Sequence, residues 1–284
     1  MSTQQALQFL EHYTIGEPCF CSNGICCYYA TDKESGDRYI AKVISFPAKP
    51  STSDALLLSG AFADLEGVDT YYRDRARDLS RQAAILNALS HSEYFSHISA
   101  CHTVKRSDIG YDVWLLSPYR PTLSAIFDKG ELPLGTALEL GITLCRGAQQ
   151  CREMGFMLST IRPQNIHITH RGTFQIGAIG FISLSTLQYA PLPAGYNTMY
   201  FPPECRDVFA KISPTADVYS IGTVLYQAYN HGRLPDKLTD PPVNADRKIS
   251  SIIMSACSTV PEDRLLSPTE MLSALEQYSK LAVE

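Results

Sequence analysis

Leu158-Ser159-Thr160-Ile161-Arg162-Pro163-Gln164-Asn165 is a short polar stretch with one cation, one proline and two carboxamides. It follows a segment, Leu134 to Met154, whose residues Leu138, Leu140, Ile142, Leu144 and Cys145 recur at near-helical spacing. Shortly after it comes Gly177-Ala178-Ile179-Gly180. Two side chains set the chemistry here. The Thr160 hydroxyl does not accept a proton near neutral pH as a carboxylate does. Ala178 offers no oxygen to a hard cation.

The rest of the chain divides around residues 117–121. Before them, residues 13–44 read as short strands, with Tyr39-Ile40-Ala41-Lys42-Val43-Ile44 β-rich and Glu34-Ser35-Gly36-Asp37 turn-like. A short helix is predicted from Ala55 and a longer one over Asp69–Leu89, with Leu79, Ala83, Leu86 and Leu89 on its apolar side. Strands follow around Ile98–Val104 and at Tyr111–Leu116. Ser117-Pro118-Tyr119-Arg120-Pro121 breaks the pattern as a linker. Beyond it the periodicity is helical, over Leu134–Met154, Asp217–Asn230, Lys248–Cys257 and Pro268–Leu281. Strands first and helices after predict an α+β protein of two lobes.

At 284 residues the chain is long enough for a sizeable core. With 45% hydrophobic and 19% charged residues it has the composition of a globular domain. A formal charge of −5 without a basic block argues against a nucleic-acid partner. With no stretch of 18 or more apolar residues and no charged-then-apolar amino terminus, neither a membrane span nor a secretory signal is expected. Nine cysteines, an odd number in a chain that needs no staples, favour reduced thiols in a cytoplasm. Four of them, Cys19, Cys21, Cys26 and Cys27, flank a hairpin turn at Ser22-Asn23-Gly24. Alternation places Cys19, Cys21 and Cys27 on one face, where three thiolates with a fourth ligand would hold zinc. The other reading is small apolar residues packed in two strands.

The order of motifs resembles the bacterial serine/threonine protein kinases over nearly the whole chain. Residues 158–165 resemble the catalytic loop H-R-D-L-K-P-E-N, and Gly177-Ala178-Ile179-Gly180 stands where kinases carry D-F-G. Tyr39-Ile40-Ala41-Lys42 resembles V-A-I-K, Leu116 the gatekeeper, and residues 117–121 the hinge that adenine touches. Tyr200-Phe201-Pro202-Pro203-Glu204 resembles A-P-E. Asp217-Val218-Tyr219-Ser220-Ile221-Gly222 and Pro261-Glu262-Asp263-Arg264 resemble two later motifs of the helical lobe. The resemblance implies one protein kinase-like domain: a β-rich N-lobe over 1–116, a hinge over 117–121 and a helical C-lobe over 122–284.

It also implies roles. Glu204, Asp217 and Arg264 hold the scaffold of the helical lobe. Lys42, Leu116, Ser117, Arg162 and Asn165 are the nucleotide-binding set. The catalytic positions are degenerate: Thr160 replaces the base, Ala178 the metal-binding Asp, and Gln82 the helix Glu that pairs with Lys42. The glycine-rich loop aligns with Phe20, Ser22 and Ile25, where side chains obstruct a backbone approach to phosphate. The expectation is therefore a cytoplasmic pseudokinase, not an enzyme, with no metal site and no required cofactor. It acts as scaffold or allosteric regulator of a protein partner, an active kinase or its substrate. The alternatives are a switch that binds ATP or ADP without metal, and a weak or atypical phosphotransferase. Candidate partner surfaces are residues 54–69, the activation-like segment 181–200 with Ser183, Ser185, Thr186 and Thr198 as phosphorylation sites, and a carboxy-terminal stripe of Leu272, Leu275, Tyr278 and Leu281.

Overall fold

The computed structural model describes residues 8–22, 24–48, 53–130, 132–158, 161–177, 181–183, 198–206, 213–265 and 267–283. The described residues of Met1–Ala88 and His97–Tyr119 form one compact unit, and those of Leu89–Ser96, Arg120–Leu192 and Tyr196–Glu284 another.

The first unit is an antiparallel sheet with two helices. Its strands are β1 (Tyr13–Ser22), β2 (Ile25–Asp32), β3 (Arg38–Phe46), β4 (Ala100–Lys105) and β5 (Tyr111–Pro118), in the order β1-β2-β3-β5-β4. Helices α1 (Ser53–Leu58) and α2 (Leu65–Leu89) lie between β3 and β4 in the chain. α2 begins four residues before the periodicity announces it. Asp64 explains this, because its carboxylate accepts from the Gly67 N–H at 2.7 Å and its carbonyl from the Val68 N–H. Ser117 and Pro118, read as linker, continue β5, opposite Ile40 and Tyr39. Pro118 is tolerated because it ends the strand.

Register assigns the faces. Lys42 opposes Cys27 on one side and Leu115 on the other, so those three side chains share a face. Ala41 opposes Tyr28 and Leu116, which share the other. On that second face Ala30, Ala41 and Leu116 are buried against Tyr13, Ile15, Tyr28, Tyr39, Ala100 and Trp114. α2 covers the Lys42 face. Ser80 Oγ meets Thr103 Oγ1 at 3.0 Å, and the Tyr111 hydroxyl donates to both Asp69 carboxylate oxygens at 3.1 Å.

The β1–β2 hairpin departs from simple alternation. The register shifts between Ile15 and Pro18 and again between Pro18 and Phe20. Nearer the turn the register is unbroken, and Ser22 is itself paired, with Ile25, so the loop is one residue shorter than a turn over Ser22-Asn23-Gly24; this parity change takes Cys21 off the face of Cys27. Cys21 lies opposite Cys26, with Cα atoms 4.2 Å apart, and the two form a disulfide. This corrects the expectation that the thiols are all reduced. Among the described residues no group of three or more His, Cys, Asp or Glu is placed to hold a metal ion.

The second unit is mostly helical: α3 (Leu123–Phe127), α4 (Leu134–Glu153), α5 (Thr215–Tyr229), α6 (Arg247–Ala256) and α7 (Pro268–Val283). α5 is buried almost all round. Small residues set its neighbours' approach. A Cβ on Gly222 would lie 2.6 Å from Ala256 Cβ, and one on Gly141 of α4 2.8 Å from Leu225 Cδ1. Asp246 caps α6 through the N–H groups of Lys248 and Ile249. In α7, Leu275 is core and Leu281 is 52% exposed, so the expected stripe is split between the two. Two small pairs complete the unit: β6 (Phe156–Leu158) with β9 (Phe181–Ser183), and β7 (Ile166–Ile168) with β8 (Phe174–Ile176). At three residues each they are too short for alternation to announce.

Candidate functional site

In the first unit Lys42 sits mid-strand, held by register between Cys27 and Leu115. Ile40 and Ile44 flank it on the same face. Ser117, opposite Ile40, shares that face, whereas Leu116 points to the opposite one and is fully buried. Leu116 is thus a core residue of the outer layer, and Leu115 and Ser117 are the β5 side chains on the Lys42 side. Burial pushes the Cys27 thiol up, and the Lys42 ammonium opposes this. Gln82 lies half-buried on α2. Where β3 begins, the Arg38 guanidinium stands 4.4 Å from the Tyr119 ring centroid and 5.6 Å from that of Tyr29. Phe20 is 54% exposed.

In the second unit the stretch after α4 is anchored from several sides. The Leu158 N–H donates to Asp217 Oδ2 at 3.3 Å. Ile161 and Pro163 are buried beneath it. Pro163–Asn165 forms a 3-10 turn closed by the Asn165 N–H on the Arg162 carbonyl at 2.9 Å. The Gly177 N–H donates to the Asn165 carbonyl at 2.8 Å. Asn165 is therefore fixed from both directions, and Ile166 after it is wholly buried. Gly177 is bare for a reason, since a Cβ there would run into the His167 ring. Arg162 lies near Tyr200. Burial pushes that phenol up to about 12, opposed by the Arg162 charge and by the Gln227 hydrogen bond.

Two of the three expected scaffold residues, Glu204 and Arg264, meet. Arg264 Nη1 and Nη2 donate to Glu204 Oε1 and Oε2 at 2.6 and 2.9 Å, a two-pronged contact. Its Nε donates to the Ser258 carbonyl at 2.7 Å, and its guanidinium lies over the Tyr219 ring. Asp217 is fully buried, and desolvation pushes its carboxyl up to about 8 against the Leu158 hydrogen bond and Arg152.

Thr160 and Ala178 lie outside the described residues, as do Ser159, residues 184–197 and Asp207. Ser183 and Thr198 are described as backbone only. The sequence reading missed the Cys21–Cys26 bond, the Cys27–Lys42 neighbourhood and the His167–Gly177 contact. Counting back from Lys42 through the Glu34–Asp37 turn would have found the second.

No family model matches the chain. Three curated relatives do match it. A probable serine/threonine-protein kinase of Clostridium perfringens is 24% identical over 195 residues, 62% of this chain and 28% of that protein. A Wee1-like protein kinase of Oryza sativa is 29% identical over 105 residues, 37% of this chain and 20% of that protein. The tyrosine-protein kinase ZAP-70 of Mus musculus is 25% identical over 118 residues, 40% of this chain and 19% of that protein. The matches span less than a third of each relative's own length. They make the chain a distant homologue of protein kinases, with the mixed α+β fold of a kinase-like domain. They also correct one expectation. All three relatives are named as protein kinases, which points to an enzyme and overturns the reading of the chain as none. Among the described residues no helix is long and apolar enough to cross a membrane.

Proposed function

We propose that this chain is an atypical ATP-dependent phosphotransferase of the protein kinase type, with protein as its acceptor. The observation that carries the reading is that its three curated relatives are all protein kinases. The retained polar set supports it. Each unit keeps residues at the family's nucleotide positions: the first has Lys42, a cation of the kind that holds phosphate oxygens, and the second has Arg162 and, on a turn fixed from two sides, Asn165. Phosphoryl transfer is largely positioning and electrostatic stabilisation, so a chain with Thr160 in place of the base is slowed rather than disabled. Asn165 is the one described side chain at a family metal-ligand place, and alone it is a poor Mg²⁺ site. No step is therefore assigned to a metal.

Slow turnover has a consequence of its own. When transfer is slower than nucleotide exchange, bound ATP persists unconsumed and the chain has distinguishable ATP and ADP states, through which it regulates a protein partner. Thr160 and Ala178 favour this second reading.

The direct test is transfer of labelled γ-phosphate to a panel of protein acceptors, with Mg²⁺, with Mn²⁺ and with neither. Labelled product is expected, reduced at least about tenfold by Lys42→Met and by Asn165→Ala. Transfer by the unmutated chain no greater than by Lys42→Met sinks the proposal, in an assay able to detect turnover about 10⁴-fold below the usual range of roughly 1–100 s⁻¹.

A further inference from the structure

Cys19 and Cys27 are neighbours on the Lys42 face, beside a hairpin end that Cys21–Cys26 already closes. Register carries the placement. Pro18 opposes Tyr28 and Phe20 opposes Cys27, so Cys19 is the extra residue of a bulge and stands with Phe20 against Cys27. The Cys19 thiol donates to the Cys27 carbonyl at 3.3 Å. Phe20 is the residue directly opposed to Cys27, and Cys19 beside it already reaches Cys27 with its thiol, at the backbone carbonyl. Cys19 is exposed and Cys27 half-buried, and neither is in a disulfide. Two thiols outside any disulfide, on residues that touch across paired strands and with one of them open to solvent, are placed as a reversible dithiol requires.

We infer that Cys19 and Cys27 form a thiol-modification site that takes a low-molecular-weight disulfide as oxidant and closes a second cross-strand disulfide next to Lys42. The exposed Cys19 thiol loses its proton to solvent and attacks one sulfur of the small disulfide, RSSR. The S–S bond breaks, RS⁻ leaves with the electron pair, and Cys19 carries a mixed disulfide. Cys27, deprotonated in turn, attacks the Cys19 sulfur and expels the second RS⁻. The two departing thiolates take up the two protons. RSSR is thereby reduced by two electrons to two RSH, and the two cysteines are oxidised to one disulfide. Cys19 reacts first because burial disfavours the Cys27 thiolate. The Lys42 ammonium opposes that penalty and helps the second step. The new bond ties up the side chain opposite Lys42 and fixes β1 on β2 there, so nucleotide held at Lys42 binds more weakly. That last consequence rests on the proposed function; the thiol site does not.

The test titrates the full chain, its Cys21–Cys26 bond intact, with oxidised glutathione, then blocks free thiols with iodoacetamide and maps the peptides. Cys19 and Cys27 are expected to lose alkylation together and to appear in one linked peptide, while Cys101 stays alkylated. Cys19→Ser is expected to abolish the linked peptide and leave Cys27 alkylated. Cys27→Ser is expected to stop at a glutathione adduct on Cys19. Three outcomes overturn the site: both thiols still alkylated at an excess that oxidises a control dithiol, the unmutated chain halting at the Cys19 adduct, or a linked peptide joining Cys19 to Cys21 or Cys26. ADP binding is then measured on the reduced and cross-linked forms. Weaker binding after cross-linking supports the consequence, and equal binding overturns it. A cross-link in a chain that binds ADP in neither form overturns the nucleotide reading alone.

Discussion

Asp217 shows how one buried carboxyl ties the helical unit to the pH of its surroundings. It is wholly buried, its Oδ2 accepts from the Leu158 N–H, and its Oδ1 has no hydrogen-bond partner among the described residues. Burial pushes its pKa up to about 8, so the folded chain holds a proton that the unfolded chain releases near 3.8. Below about 4 both states are protonated and Asp217 adds no pH dependence. From there to about 8 the unfolded state binds fewer protons, and stability falls by at most about 1.4 kcal/mol per pH unit. Above about 8 the contribution levels off. Urea unfolding across this window is expected to show that decline, and Asp217→Asn to flatten it. An unchanged slope in the variant assigns the pH dependence elsewhere. Arg264 is the complementary case, its side chain 0% exposed against 16% for Glu204. Glu204→Ala leaves a buried guanidinium without its carboxylate and is expected to cost about 3–5 kcal/mol. A loss below about 1 kcal/mol would mean that the Ser258 and Thr215 carbonyls suffice for that guanidinium.

Among the elements, α5 and α6 approach as closely as their side chains allow. Gly222→Ala gains about 1 kcal/mol in helix propensity. Its new methyl, however, meets Ala256 Cβ at 2.6 Å and Cys257 Sγ at 3.2 Å, both in the core. Overpacking of this kind costs about 1–3 kcal/mol, so a net loss is expected in urea unfolding. A gain would show that α6 yields easily. The long elements were legible from the chain because their periodicity is strong: α4 runs over Leu134–Glu153 and α7 over Pro268–Val283, each within two residues of its expected end. What local pattern could not supply was register. The Ser22–Ile25 pair beside the turn set Cys21 opposite Cys26, and β5 alternation turned Leu116 away from Lys42. Lys42 itself was readable because its strand is β-rich on both sides. The side chains across from it were not, since they depend on pairing over an intervening turn.

For the molecule as a whole, folding energetics reports nucleotide binding without any turnover. A ligand that binds only the native state at about 100 times its dissociation constant stabilises it by about 2.7 kcal/mol. The chain has two compact units, so melting is to be followed with a probe in each rather than assumed to be a single transition. Lys42 lies in the first unit, on β3, and the transition that reports this sheet is expected to move up with ADP. Lys42→Met keeps the stem and removes the charge, and is expected to melt near the unmutated chain without ADP and to lose the shift with it. A shift that survives the substitution moves the nucleotide away from Lys42. No shift in either chain, at concentrations that stabilise an active kinase run alongside, removes the phosphotransferase and the nucleotide switch together, because both need ATP or ADP bound first. A shift confined to Mg²⁺-containing buffer would instead assign a metal to this chain and make Asn165 the first residue to replace.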